Sequence, residues 1–255
     1  MARDLQGVRA AITGASAGIG AATAAELAAR GCDLVLGARR FERLDALRAD
    51  IHRAHPDAKV EIHPLDVADA AQCEAFARAA GPVGILVNNA GLARGTDKVV
   101  DGHEHEWREM IETNVMGLLR ITRLFLPGMI ERRGGTVVNV GSVAGLEPYP
   151  GGAVYCATKA SVRSITKALR HELLGTGVRV CNVEPGAVQT EFSEVRFRGD
   201  AARAEKVYQG FQPLLPEDVA EAIGFLVSRP AHVDVEELVL YPTAQASTMA
   251  FHKTA

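Results

Sequence analysis

Short apolar runs alternate along the chain with longer stretches whose apolar positions recur at helical spacing. VRAAIT (8–13) runs into glycines, and a helical pattern from about 18 to 30 stops at Gly31. DLVLGA (33–38) predicts a second strand, and the stretch after it places Phe41, Leu44, Leu47 and Ile51 on one helical face. KVEIHPL (59–65) predicts a third strand, with a helix to follow near 69–79. GILVNNAG (84–91) contains a fourth strand, GTVVNVGS (135–142) a fifth, VRVCNVEPG (178–186) a sixth and EELVLYP (236–242) a short seventh. Strands separated by helices of about ten or more residues indicate parallel βαβ units. The strand runs are apolar on both faces, as a sheet covered by helices on each side requires. One doubly wound α/β domain is the simplest account, with no repeat or linker to divide it.

Composition narrows the function classes. The 255 residues are 47% hydrophobic and 23% charged, enough for a large core, and the formal net charge is -3. A slightly acidic chain carries no electrostatic footprint for nucleic acid. No apolar stretch approaches the ~18 residues of a membrane span. The start, MARDLQGVRAAITG, is not a signal peptide, because Arg3 and Asp4 precede too short an apolar run. Cys32, Cys73, Cys156 and Cys181 are scattered and match no metal or disulfide spacing, so reduced, buried cysteines in a cytoplasmic protein are expected. GHEHEW (102–107) brings His103 and His105 together without a further ligand cluster, so no metal is expected. The stretch 115–130 is interrupted by Arg120 and Arg123 and is read as core and subunit contact.

Ligands of doubly wound sheets bind at the carboxyl ends of the strands, and the unusual residues lie there. TGASAGIG (13–20) follows the first strand and opens the first helix. Gly14, Gly18 and Gly20 clear the way for backbone to approach a pyrophosphate, and a helix N-terminus supplies N–H donors. Further on, Tyr155 and Lys159 lie four residues apart, on one helical face. An ammonium close to a phenol favours the phenolate and lowers its pKa from ~10.

TGASAGIG, NNAG (88–91), Ser142 after the fifth strand, Tyr155-x-x-x-Lys159 and PGAVQT (185–190) occur in an order that resembles the short-chain dehydrogenases/reductases, from about residue 5 to 245. The resemblance implies a Rossmann-type sheet of seven parallel strands, a nicotinamide cofactor, a small-molecule substrate and a homo-oligomer, often a tetramer. A cofactor half spans about 5–140, a catalytic and substrate half about 141–245, and a tail 246–255. Tyr155 takes the role of general acid–base and Lys159 that of a partner to the nicotinamide ribose. Ser142 holds the substrate oxygen, and Asn114 holds a water in a proton relay. Gly14, Ser16, Gly18, Ile19 and Gly20 form the pyrophosphate loop. Asp66 and Val67 bind the adenine; Asn88, Ala90 and Gly91 line the cofactor, with Asn88 also a candidate for holding strands together. Pro185, Gly186, Val188 and Thr190 meet the carboxamide and pyrophosphate.

Charge then separates the two nicotinamide cofactors. An acid at the end of the second strand accepts hydrogen bonds from the adenosine ribose in NAD-dependent members. Ala38 stands at that position, followed at once by Arg39 and Arg40. Guanidinium groups suit a 2′-phosphate, so NADP is expected.

The substrate is less defined. Residues 184–209 and 216–247 resemble the bacterial NADP-dependent dehydrogenases of 3-hydroxy acids such as serine and allo-threonine. Arg196, Arg203 and Lys206 are candidates to hold a carboxylate, among as many acids: 191–206 has four cations and four carboxylates. Two other readings stand beside this one: a reductase of another carbonyl (a 3-oxoacyl thioester, a sugar or a cyclic ketone), or a dinucleotide-binding protein without catalysis. The presence together of Asn114, Ser142, Tyr155 and Lys159 weighs against the last.

Overall fold

The computed structural model describes residues 3–254. The chain runs β1 (Arg9–Thr13), α1 (Gly18–Ala29), β2 (Asp33–Ala38), α2 (Phe41–Ala54), β3 (Val60–Pro64), α3 (Ala70–Ala80) and β4 (Ile85–Asn88). It continues through α4 (Glu104–Ile111), α5 (Leu118–Glu131), β5 (Gly135–Val140), α6 (Ala153–Glu172), β6 (Val178–Pro185), α7 (Phe192–Arg196), α8 (Ala201–Lys206), α9 (Pro216–Val227) and β7 (Glu237–Leu240). All seven strands join one parallel sheet in the order β3-β2-β1-β4-β5-β6-β7.

The unbroken apolar character of the strands has its cause in two cores. Ala10, Ile12, Leu34, Leu36, Ile85 and Val87 face one core with Leu27 of α1, Leu44 of α2 and Ile223 of α9. Ala11, Val35, Leu86, Val137 and Val180 face the other with Phe76 of α3, Phe125 of α5 and Leu169 of α6. Successive side chains leave a strand on opposite faces, so the central strands carry apolar residues toward both layers. Leu44 and Ile51 anchor α2 as their spacing predicts, but Phe41 is 40% exposed. It stands at the first turn of α2, where the helix has only just met the sheet. Among the described residues no helix is long and apolar enough to cross a membrane, and no cluster of His, Cys, Asp or Glu could hold a metal ion.

The sheet order reverses between β1 and β4. The chain winds outward from β1 through β2 to β3, then returns to β4 and winds the other way. The loops leaving β1 and β4 therefore diverge and leave a crevice at their carboxyl ends.

Candidate active site

A cavity of about 990 Å³ occupies that crevice and extends from the glycine loop to the far side of β6. Its first wall is backbone. Gly14 sits at φ +66, and a Cβ there would lie 2.8 Å from Ala90 Cα, so only glycine lets the loops of β1 and β4 close up. Asn89 staples them: its Nδ2 donates to Thr13 O and Gly14 O at 3.0 and 3.1 Å. Thr13 Oγ1 accepts from the amides of Asn89 and Ala90, both at 3.1 Å. The N-cap of α1 is Ala17, with no side-chain cap and no acid in the first turn. Its first N–H groups stay available to an anion.

Ser16, Gly18, Ile19, Arg39, Arg40, Asp66, Val67, Ala90 and Gly91 line the cavity, as do Pro185, Gly186, Val188 and Thr190. Two expected cofactor residues do not. Gly20 is buried, and a Cβ there would collide with Asn89 Nδ2, so its smallness serves the staple. Asn88 is buried and donates to Thr122 Oγ1 and Asn139 Oδ1 at 2.8 and 2.9 Å, tying α5 and β5 to β4. Strand alternation explains the pair: Asn88 points into the layer under the sheet, and its neighbour Asn89, which sequence reasoning passed over, faces the loops.

At the adenosine end β2 stops at Ala38, which is buried and lines the cavity without offering a carboxylate. Arg39 lines the cavity beside it. Arg40 places its guanidinium 3.4 Å from Ser16 Oγ and pairs with Glu191 at 2.7 Å. Arg43, one turn into α2, grips the same Glu191 and was not anticipated. Ser16 with three guanidiniums at the mouth forms a donor set suited to a phosphate ester on the ribose.

The reaction end is carried by β5 and α6. Ser142 follows β5 and N-caps a short 3₁₀ turn, Val143–Gly145. Tyr155 and Lys159 sit in the first turns of α6, 8% and 7% exposed. The Ser142 hydroxyl accepts the Ala144 N–H at 3.2 Å and lines the cavity with Tyr155. Lys159 Nζ donates to Val140 O at 2.8 Å and lies 6.0 Å from the centre of the Tyr155 ring. That arrangement corrects the expectation that the lysine lowers the phenol's pKa. Burial holds the Tyr155 hydroxyl well above its usual range and nearby Tyr149 raises it further, while Ser142 and the Arg196 guanidinium only partly offset this. The pKa of Lys159 is itself pushed down to about 8 by burial. The protein by itself keeps Tyr155 protonated, the form that gives a proton to a carbonyl oxygen.

Asn114 lies behind this group rather than in the cavity wall. It sits in a π-helical stretch, Glu112–Gly117, inserted between α4 and α5. Its side chain accepts from Leu92 N at 2.9 Å and donates to Leu92 O and Thr158 Oγ1 at 2.8 and 3.0 Å. A Cβ on Gly91 would lie 3.3 Å from Asn114 Oδ1 and 3.6 Å from Lys159 Nζ. The amide and the ammonium thus converge on one small residue.

The three candidate cations after β6 separate clearly. Arg196, at the end of α7, is part-buried in the cavity, with its guanidinium 5.9 Å from the Tyr155 ring centre and 5.3 Å from that of Tyr149. It donates to Gly95 O at 3.0 Å and to Tyr149 Oη at 2.8 Å. Arg203 instead lies on the outer surface, over the Phe197 ring and bonded to Thr96 Oγ1 at 2.6 Å. Lys206 is exposed on α8 and also lies outside the cavity wall. Asp200 caps α8, its side chain accepting the Arg203 backbone N–H. Tyr149, Phe192, Phe251 and Lys253 complete this end and gave no sequence signal of their own.

A doubly wound sheet, a long crevice at its switch point and a buried tyrosine–lysine pair within it define an oxidoreductase that works with a bound dinucleotide. Residues 9–200 match the family model described as short chain dehydrogenase. The NADP-dependent 3-hydroxy acid dehydrogenase of Schizosaccharomyces pombe is 41% identical over 248 residues, 94% of this chain and 95% of that protein. The sulfoacetaldehyde reductase of Chromohalobacter salexigens is 44% identical over 241 residues, 92% of this chain and 94% of that protein. Among solved structures, the closed form of serine dehydrogenase complexed with NADP+ is similar at a TM-score of 0.89 and 42% identity, over 96% of this chain and 100% of that one. The chain belongs to the short-chain dehydrogenase family.

Proposed function

We propose that the protein is an NADP-dependent dehydrogenase of small 3-hydroxy acids, such as serine or allo-threonine, interconverting the hydroxyl and the carbonyl. The observation that carries the substrate class is Arg196: one guanidinium, held by Gly95 O and Tyr149 Oη, faces the cavity beside Tyr155. A carboxylate one or two carbons from the reacting carbon meets a cation there, which orients the substrate. The relatives named as 3-hydroxy acid and serine dehydrogenases support the same class.

The cavity fits the cofactor. Gly14, Ser16, Gly18 and Ile19 present backbone and the first turn of α1 to a pyrophosphate. Asp66 and Val67 flank an adenine, and Ala90 and Gly91 give room to the ribose beside Lys159. Pro185, Gly186, Val188 and Thr190 close over the nicotinamide end. Arg39, Arg40 and Ser16, with no carboxylate at Ala38, select the 2′-phosphate. Bound there, the nicotinamide supplies or takes the hydride. Tyr155 gives its proton to the carbonyl oxygen in reduction and recovers it in oxidation. The Ser142 hydroxyl holds that oxygen against the phenol. Lys159 holds the ribose, and Asn114 seats a water that connects the lysine to solvent. Gly20 and Asn88 shape the loops without touching the cofactor.

The chain works as one domain, with the cofactor half over about 5–140 and the substrate half over about 141–245. A cytoplasmic location is supported by four buried free cysteines. A homotetramer is supported by exposed Ile111, Met116 and Leu119 near the α4–α5 junction, a face suited to another copy. The test is a panel of 3-hydroxy acids, their methyl esters and uncharged alcohols of similar size, followed by reduced-nicotinamide absorbance with NADP and with NAD. The acids should lead, with NADP. Esters turned over as fast as their acids would refute the acid reading, and a sulfonate aldehyde in the panel separates an anion site from a carboxylate site.

A further inference from the structure

The proposed chemistry leaves one ionisable group at the reaction end without a role. Glu184, the penultimate residue of β6, is wholly buried. Its carboxylate accepts the backbone N–H of Ser142 and an N–H of Asn182 Nδ2. It fills the space over Gly141, where any Cβ would collide with its Cδ and Oε2. Gly141 is glycine because a carboxyl group stands there. The peptide leading to Ser142 is thus held from two sides: Lys159 binds Val140 O at 2.8 Å and Glu184 binds the Ser142 amide.

Glu184 and Lys159 are also joined by charge. Glu184 is the charged group that acts on Lys159, and it acts to keep the lysine protonated against burial. In turn burial pushes the Glu184 carboxyl up to about 7, while the Ser142 amide, Lys159 and Asn182 pull it down. The other groups in range are Glu237 on β7, which raises it, and Arg163 on α6 and Tyr241, which feel its charge. Arg163 is itself paired with Glu237 at 2.6 Å, so Lys159 is the cation left to answer Glu184. A wholly buried carboxyl without a hydrophobic purpose is costly. A glutamine of the same shape could accept from Ser142, but its amide N–H groups would face Asn182 Nδ2 and leave Lys159 without a counter-charge.

We propose that Glu184 is a positioning residue of the reaction, fixing the peptide that carries Ser142 and holding Lys159 protonated over the working pH range. This rests on the roles proposed above for Ser142 and Lys159. Carbonyl reduction then falls at alkaline pH as Lys159 loses its proton. Removing the negative charge lets that proton leave earlier, and an opposite charge at short range shifts a pKa by about one unit or more.

The experiment is the pH profile of kcat for carbonyl reduction in the unaltered protein, Glu184→Gln and Glu184→Asp, with thermal melts of each. Glu184→Gln should move the alkaline limb down by about one pH unit. Glu184→Asp, which keeps the charge but not the reach to Ser142, should lower kcat and leave the limb in place. A kcat lowered by the same factor at every pH in Glu184→Gln, or a profile left unchanged, overturns the proposal. Should the variants not fold, the unaltered chain with 13C-labelled glutamate carboxyls decides. One glutamate resonance should show a second, alkaline step as Lys159 loses its proton near 8, and a set in which no carboxyl senses an alkaline step overturns it. Full activity in Tyr155→Phe would instead remove the catalytic reading itself, so the two failures are distinct.

Discussion

At the glycine-loop end of the cavity the wall is backbone, drawn together by Gly14 and stapled by Asn89 across the two central strands. At the substrate end the wall is side chains from distant parts of the chain: Arg196 reaches Gly95 and Tyr149, and Arg94 pairs with Glu109 and bonds Val195 O. The first end has little freedom, because strained backbone and close approach leave a single solution. The second is a set of long polar side chains that can exchange partners, on short helices α7 and α8 that contribute little core. A common cofactor is met by the rigid end, and the choice of substrate falls to the end that side chains can remodel.

Four tests, using six substitutions, put this contrast to work. Tyr155→Phe removes the proton and keeps the ring against Phe192, whose centroid is 5.4 Å away. Turnover should fall by ~10²–10⁴-fold while cofactor affinity, measured by fluorescence titration, stays. Arg196→Ala should raise KM for a 3-hydroxy acid by roughly 10–150-fold, the loss of a charged hydrogen bond of ~1.5–3 kcal/mol. KM for its methyl ester should hardly move; equal losses for both would erase the distinction between the two ends. At the rigid end, Ala38→Asp combined with Arg39→Gln should swing preference from NADP toward NAD by about tenfold or more, read as the ratio of kcat/KM values. The backbone loop common to both cofactors is untouched by that change, so kcat with saturating cofactor should be kept. The smallest effects belong to Arg203→Ala and Lys206→Ala. Both side chains are exposed and outside the cavity, so stability should change by less than ~0.5 kcal/mol and KM should be unaltered. A large rise in KM from either would bring α8 into the substrate wall.

The sequence by itself determined the seven strands, their parallel order of winding and the position of the cofactor cavity. Those depend on local patterns: apolar runs covered on both faces, glycines between a strand and a helix, and a tyrosine and lysine one turn apart. The spacing of Tyr155 and Lys159 was legible by itself, and the family resemblance implied that Ser142 joins them at one end. Only the tertiary structure separates Arg196, which lines the cavity bonded to Gly95 and Tyr149, from Arg203 and Lys206, which lie outside it. It also moved Asn88 and Gly20 out of the cofactor wall and put Asn89 and Arg43 into the cavity wall. It reversed the expected shift of the Tyr155 phenol, because burial of the hydroxyl raises its pKa, while the neighbouring ammonium is committed to Val140 O. And it brought Glu184, a residue with no signal beyond its place before Pro185, under Ser142 and into the field of Lys159. Periodicity records which way a side chain leaves its own strand or helix; hydrogen bonds and burial between strands distant in the chain are set only once the sheet has closed.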